Sequence, residues 1–141
     1  MFLVDTNVVS ELRKATSGRA NPNVLAWDSR KPADMRFICV ISVMELEIGV
    51  ARMEARDPAQ GAQLRRWLET QFPSAFYGRV LVVDEAVAIS CARLHAQSPR
   101  PERDALIAAT ALVHGLTVVT RNTADFAPMG VTLLNPWEPQ V

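Results

Sequence analysis

Asp5-Thr6-Asn7, Glu45, Asp104 and the stretch Thr120-Arg121-Asn122 to Asp125 bring side-chain oxygens to the borders of short apolar runs. In an open parallel sheet, ligands bind beyond the carboxyl ends of the strands, so polar residues just after each strand are the ones to weigh. Most of them here are acidic. Each acid also has a local reading. Ser42-x-x-Glu45 matches a capping box, in which both side chains satisfy orphan amides at a helix start. Asp84 before Glu85 reads as a plain N-cap and is left out of the site. Asp104 could cap the helix that follows it, although that helix is almost wholly apolar and presses Asp104 toward the sheet. Asp5 could cap the first helix.

Taken together, Asp5, Glu45, Asp104 and Asp125 make a demand that single caps do not. Carboxylates gathered within a few ångströms cannot all ionise without a proton or a cation to compensate them. Lysine is scarce, with only Lys14 and Lys31 in the chain, and Arg13, Arg103 or Arg121 would neutralise only part of the cluster. An all-oxygen donor set lacking Cys and His suits Mg²⁺ or Mn²⁺. Such an ion keeps open positions for phosphate oxygens and water, which is the chemistry of a nuclease.

The elements that must hold these acids alternate along the chain. Short Val/Ile/Leu-rich runs at 2–4, 36–41, 79–83, 116–120 and 131–134 predict strands. Helical periodicity predicts helices over 8–14, 23–30, 43–56, 58–72, 84–97 and 104–114. This pattern specifies an α/β fold, a three-layer α/β/α sandwich around a mainly parallel four- to five-stranded sheet. Asn21-Pro22 and Asp57-Pro58 set a cap before a first-turn proline, and Gly115 stands where a helix end favours a left-handed residue. Residues 1–141 read as one domain, with a helical hairpin inserted at about 43–72. Right-handed crossovers are expected to gather the acid-bearing strand ends on one rim.

Charge and composition narrow the function classes. The 141 residues hold 15 Lys+Arg against 15 Asp+Glu, so long-range attraction cannot recruit nucleic acid, and any polyanion must be held locally. No apolar run approaches the roughly 20 residues that cross a bilayer, and no secretory signal is evident, so a cytoplasmic protein without a membrane role is expected. Cys39 and Cys91 read as core thiols. His95 and His114 lie late in helices and read as structural, and Trp27, Trp67 and Trp137 as core or interface anchors. Leu64, Trp67 and Leu68 share a helical face suited to a second copy or to another protein. Arg13 and Arg121 read equally as contacts to a phosphate backbone or as solvated surface.

With these residues in place, the chain resembles a known family. Leu3-Val-Asp5-Thr6-Asn7, Ser42-x-x-Glu45-Leu46, Asp104-Ala-Leu-Ile-Ala-Ala and Val119-Thr120-Arg121-Asn122-x-x-Asp125-Phe126 resemble the PIN domain, in particular the VapC or FitB-like toxins of type II toxin–antitoxin pairs. The likeness runs from the second residue to about Phe126. It implies an endoribonuclease that uses Mg²⁺, with Mn²⁺ as an alternative. The family's acids fall on Asp5, Glu45, Asp104 and Asp125, and its supporting polar residues on Thr6, Asn7, Thr120 and Asn122. It further implies a homodimer, a VapB/FitA-like antitoxin, and operator DNA reached only through that antitoxin. A PIN-like module that binds RNA or protein without cleaving is the alternative. A haloacid dehalogenase-type phosphatase would need an acid where Asn7 stands, and a P-loop hydrolase a Gly-Lys-Ser/Thr run that is absent.

Overall fold

In the computed structural model, which describes residues 1–140, the apolar runs form β1 (Phe2–Val4), β2 (Arg36–Cys39), β3 (Val80–Leu81), β4 (Thr117–Val119) and β5 (Leu133–Leu134). They pair in parallel in the order β3-β2-β1-β4-β5. Phe2 lies opposite both Arg36 and Thr117, and Val119 lies between Val4 and Leu134. Because side chains alternate across a strand, neighbouring residues serve opposite layers. Leu3, Cys39 and Val118 enter one apolar cluster, and Val4, Ile38 and Val119 the other.

Helices cover both faces, which gives the expected α/β/α layering. The first layer holds α1 (Thr6–Leu12), α2 (Pro22–Arg30), α3 (Val40–Arg56), α4 (Pro58–Glu69) and the short α5 (Gln71–Ala75). The second holds α6 (Glu85–Gln97), α7 (Glu102–His114) and α8 (Thr123–Phe126). Punctuation behaves as its chemistry predicts. The Asn21 side chain accepts the Asn23 and Val24 amides before Pro22, Asp84 accepts the Val87 amide, and Gly115 ends α7 at φ 66°. The cysteines are buried and unpaired. No helix among the described residues is long and apolar enough to cross a membrane.

Several boundaries move. The second strand stops at Cys39, and Val40 and Ile41 open α3, because β3 pairs with β2 only at Ile38 and Cys39 and offers no ladder beyond them. The hairpin is α3 and α4 joined at Asp57, whose carboxylate accepts the Gln60 amide. The predicted helix 58–72 breaks at Thr70, and α5 begins afresh at Gln71. The first helix opens at Thr6 and gives way to a 3₁₀ segment, Arg13–Ser17. The helix α8 was too short for its periodicity to be read, yet it carries Asp125.

Candidate functional site

Asp5 follows β1 directly and is tied to β4, since its amide donates to the Val119 carbonyl at 2.9 Å. Its carboxylate caps α1 as expected, with Oδ1 accepting the Thr6 amide at 2.8 Å. The cap is only part of its role. Oδ2 accepts the Thr120 hydroxyl at 2.8 Å and the Asn7 Nδ2 at 3.3 Å. Thr120 Oγ1 in turn accepts the Asn122 amide at 3.0 Å and Asn7 Nδ2 at 3.2 Å, while Asn7 Oδ1 accepts the Arg121 amide at 3.3 Å. Thr120 is fully buried and Asp5 is 6% exposed, so this lattice locks the adjacent ends of β1 and β4. Asn122 takes part through its backbone.

Glu45 reaches the same rim from α3. Its Oε1 accepts the Thr6 hydroxyl at 2.7 Å, and Arg103 Nη1 lies 3.8 Å from its Oε2. The capping-box reading fails here. Cys39 precedes the first turn, Ser42 already lies inside α3, and its buried hydroxyl has no hydrogen-bond partner. The helix starts earlier than the box requires, which frees Glu45 to turn toward Thr6. Asp104 is likewise not a cap. Pro101 precedes α7, and Asp104 sits within the first turn. Asp125, in α8, is exposed, and its amide donates to the Asn122 carbonyl at 3.1 Å.

The four acids act on one another through their charge. Burial is the main cause that pushes the Asp5 carboxyl up to about 6, against the lowering effect of the Thr120 and Thr6 hydrogen bonds and with Glu45 and Asp104 adding to the rise. Burial also raises Asp104, followed by the charges of Asp125 and then Glu45. Arg103 is half exposed, so water screens the compensation it offers. Arg13 and Arg121 form no ion pair with these acids among the described residues, and Arg121 stands over the Trp137 ring, 5.2 Å from its centroid.

The donor set fits a hard divalent cation. It is all oxygen, it holds a buried carboxylate whose ionisation is disfavoured, and Arg103, which pairs with Glu45, is half exposed. Among the described residues no group of three or more Asp, Glu, His or Cys side chains is drawn close enough to hold a metal ion by itself. Magnesium ordinarily keeps several waters, so an open set of carboxylates is compatible with it. The Thr6–Glu45 and Thr120–Asp5 bonds join residues 39 and 115 positions apart, and nothing in the local sequence signals either contact. The sequence reading also missed Ser10, which lines a hollow beside Glu45.

A family model described as PIN domain matches residues 2–130. A VapC ribonuclease of Sinorhizobium fredii is 40% identical over 144 aligned residues, covering 99% of each chain. The crystal structure of FitAcB from Neisseria gonorrhoeae superposes with a TM-score of 0.88 at 34% identity, covering 98% of this chain and 99% of that one. A toxin–antitoxin complex from Klebsiella pneumoniae matches with a TM-score of 0.67 at 28% identity, over 98% of this chain and 99% of the other.

Proposed function

For a chain that belongs to the PIN-domain family, we propose the role of ribonuclease toxin in a type II toxin–antitoxin pair, hydrolysing RNA phosphodiester bonds with Mg²⁺ or Mn²⁺. The observation that carries this reading is the placing of Asp5, Glu45, Asp104 and Asp125, from four separate segments, where their charges act on one another around a buried carboxylate. The names of the Sinorhizobium and Klebsiella proteins support the ribonuclease and toxin parts respectively.

Asp5, Glu45 and Asp104 would hold the principal ion, directly or through water, and Asp125 would support a second ion or orient the attacking water. When bound, the ion supplies charge to the phosphoryl oxygens, acidifies water and stabilises the leaving oxygen. The protein's own part is positioning. Thr120 and Asn7 fix one oxygen of Asp5, the Thr6 amide fixes the other, and the Thr6 hydroxyl holds Glu45. Asp125 is exposed, so water can reach the carboxylate that would orient it. The proposal extends to a homodimer in the cytoplasm, held inactive by a VapB/FitA-like antitoxin that carries the pair to operator DNA.

Purified protein incubated with RNA should cut it when Mg²⁺ or Mn²⁺ is supplied and stop when a chelator is added. Asp5→Asn should keep the fold, by circular dichroism, and reduce cleavage to background. RNA that is bound but left intact under every metal condition would overturn the enzymatic reading in favour of a binding module. Wild-type cleavage by the variant would remove Asp5 from the mechanism.

A further inference from the structure

Two adjoining hollows lead away from Glu45. The nearer, about 190 Å³, is walled by Thr6, Ser10, Arg13, Glu45, Leu64 and Trp67, among others. The farther, about 280 Å³, lies between the 3₁₀ segment Arg13–Ser17 and α4, and its wall includes Arg13, Arg19, Gln63, Arg66 and Trp67. Arg13, Leu64 and Trp67 belong to both, so the hollows form one groove from the acidic rim to the helical hairpin.

The far hollow is lined by three guanidinium groups and no carboxylate. Among the described residues, Arg13, Arg19 and Arg66 form no ion pair, whereas Arg36, Arg65 and Arg103 each face an acid. Arg19 is steadied by the Ser17 hydroxyl, which accepts from its Nε at 3.2 Å. In a chain of net charge +0, such a cluster is a local concentration of positive charge without long-range support. Guanidinium groups match phosphate oxygens in geometry and remain charged at every relevant pH. The acidic rim, by contrast, repels a polyanion.

We propose that this far hollow is a phosphate subsite for the RNA strand being cut. Arg13, Arg19 and Arg66 hold backbone phosphates beside the scissile one and offset the repulsion of the acids next to it. The inference rests on the ribonuclease reading and deepens it by saying where the rest of the strand lies. RNA fits better than an acidic protein segment because the groove opens at Thr6 and Glu45, where a phosphate must arrive for cleavage. Phosphate contacts position a strand without reading its bases, so the subsite affects all sequences alike.

The test uses an Asp5→Asn background, so that RNA stays intact, and measures anisotropy of a short labelled single-stranded RNA across a range of KCl concentrations. Arg19→Ala with Arg66→Ala should weaken binding several-fold and lower the slope of log affinity against log salt by about 1.4, roughly 0.7 for each lost phosphate contact. Poly(A) and poly(U) should respond equally. Both arginines are exposed, so the melting temperature should hold. An unchanged affinity and slope overturn the subsite, and the ribonuclease reading survives that result if the parent protein still cuts RNA. A labelled poly-glutamate peptide that loses affinity for the double variant while RNA does not also overturns it, assigning the hollow to an acidic protein segment. A parent protein that never cuts, yet binds RNA through these arginines, ends the ribonuclease reading and leaves the hollow as an RNA phosphate site without a cleaved strand, which overturns the subsite as proposed.

Discussion

Thr120 has as many side-chain hydrogen-bond partners in the site as Asp5 itself. Its one hydroxyl donates to Asp5, accepts the Asn122 amide and accepts Asn7 Nδ2, all without exposure to water. Removing it leaves a buried carboxylate oxygen short of a donor and an amide short of an acceptor. Thr120→Val, which keeps the shape, should therefore lower divalent-ion affinity or cleavage about 10–100-fold, the usual cost of losing a residue that orients a ligand. Metal titration and a cleavage assay read this directly, and unchanged values would mean that Asp5 is held by Thr6 and Asn7 alone. Asp5 was legible in the sequence because an acid directly after an apolar strand run is a local signal. The family resemblance marked Thr120 only as a supporting polar residue, and its bond to Asp5, across 115 positions, is visible only in the fold.

At the level of elements, the hairpin of α3 and α4 depends on one close approach. A Cβ at Gly61 would lie 2.4 Å from the Glu54 Cα and 2.7 Å from its amide nitrogen, so the two helices meet backbone to backbone there. Arg65 then reaches back across the joint, with Nη2 2.9 Å from Glu54 Oε1 and Nη1 2.7 Å from Glu47 Oε2. Gly61→Ala should force the helices apart at a cost of about 1–3 kcal/mol, seen as a lower melting temperature. A variant as stable as the parent would show that the hairpin can slide without penalty. The groove of the proposed phosphate subsite is walled in part by α4, so the same variant should weaken RNA binding while Asp5 and Thr120 stay in place. The Asp57-Pro58 joint was readable from its capping chemistry, because it depends only on neighbouring residues. The start of α3 was not, because β-branched Val40 and Ile41 favour a strand by propensity, and only the short partner β3 withholds one.

For the whole molecule, the sheet is buried on both faces while its carboxyl rim carries Asp5 and Asp104, whose ionisation burial and neighbouring acids disfavour. A divalent cation that binds only the native state must stabilise it, by about 2.7 kcal/mol at a hundredfold excess over the dissociation constant. Thermal melts of metal-free protein should therefore rise by several degrees with millimolar Mg²⁺ or Mn²⁺, and Asp5→Asn should remove the response. A flat melt in the parent protein would count against the metal site as a whole. By itself the sequence determined the alternation of elements, the two-sided burial and the identity of the acids, because those depend on periodicity and on residues a few positions apart. Only the tertiary structure decided that Thr6 meets Glu45, that Thr120 meets Asp5 and that Arg13 joins Arg19 and Arg66 in one hollow. Each of those contacts depends on the order in which parallel strands and their crossovers assemble, and that order is set by long-range packing.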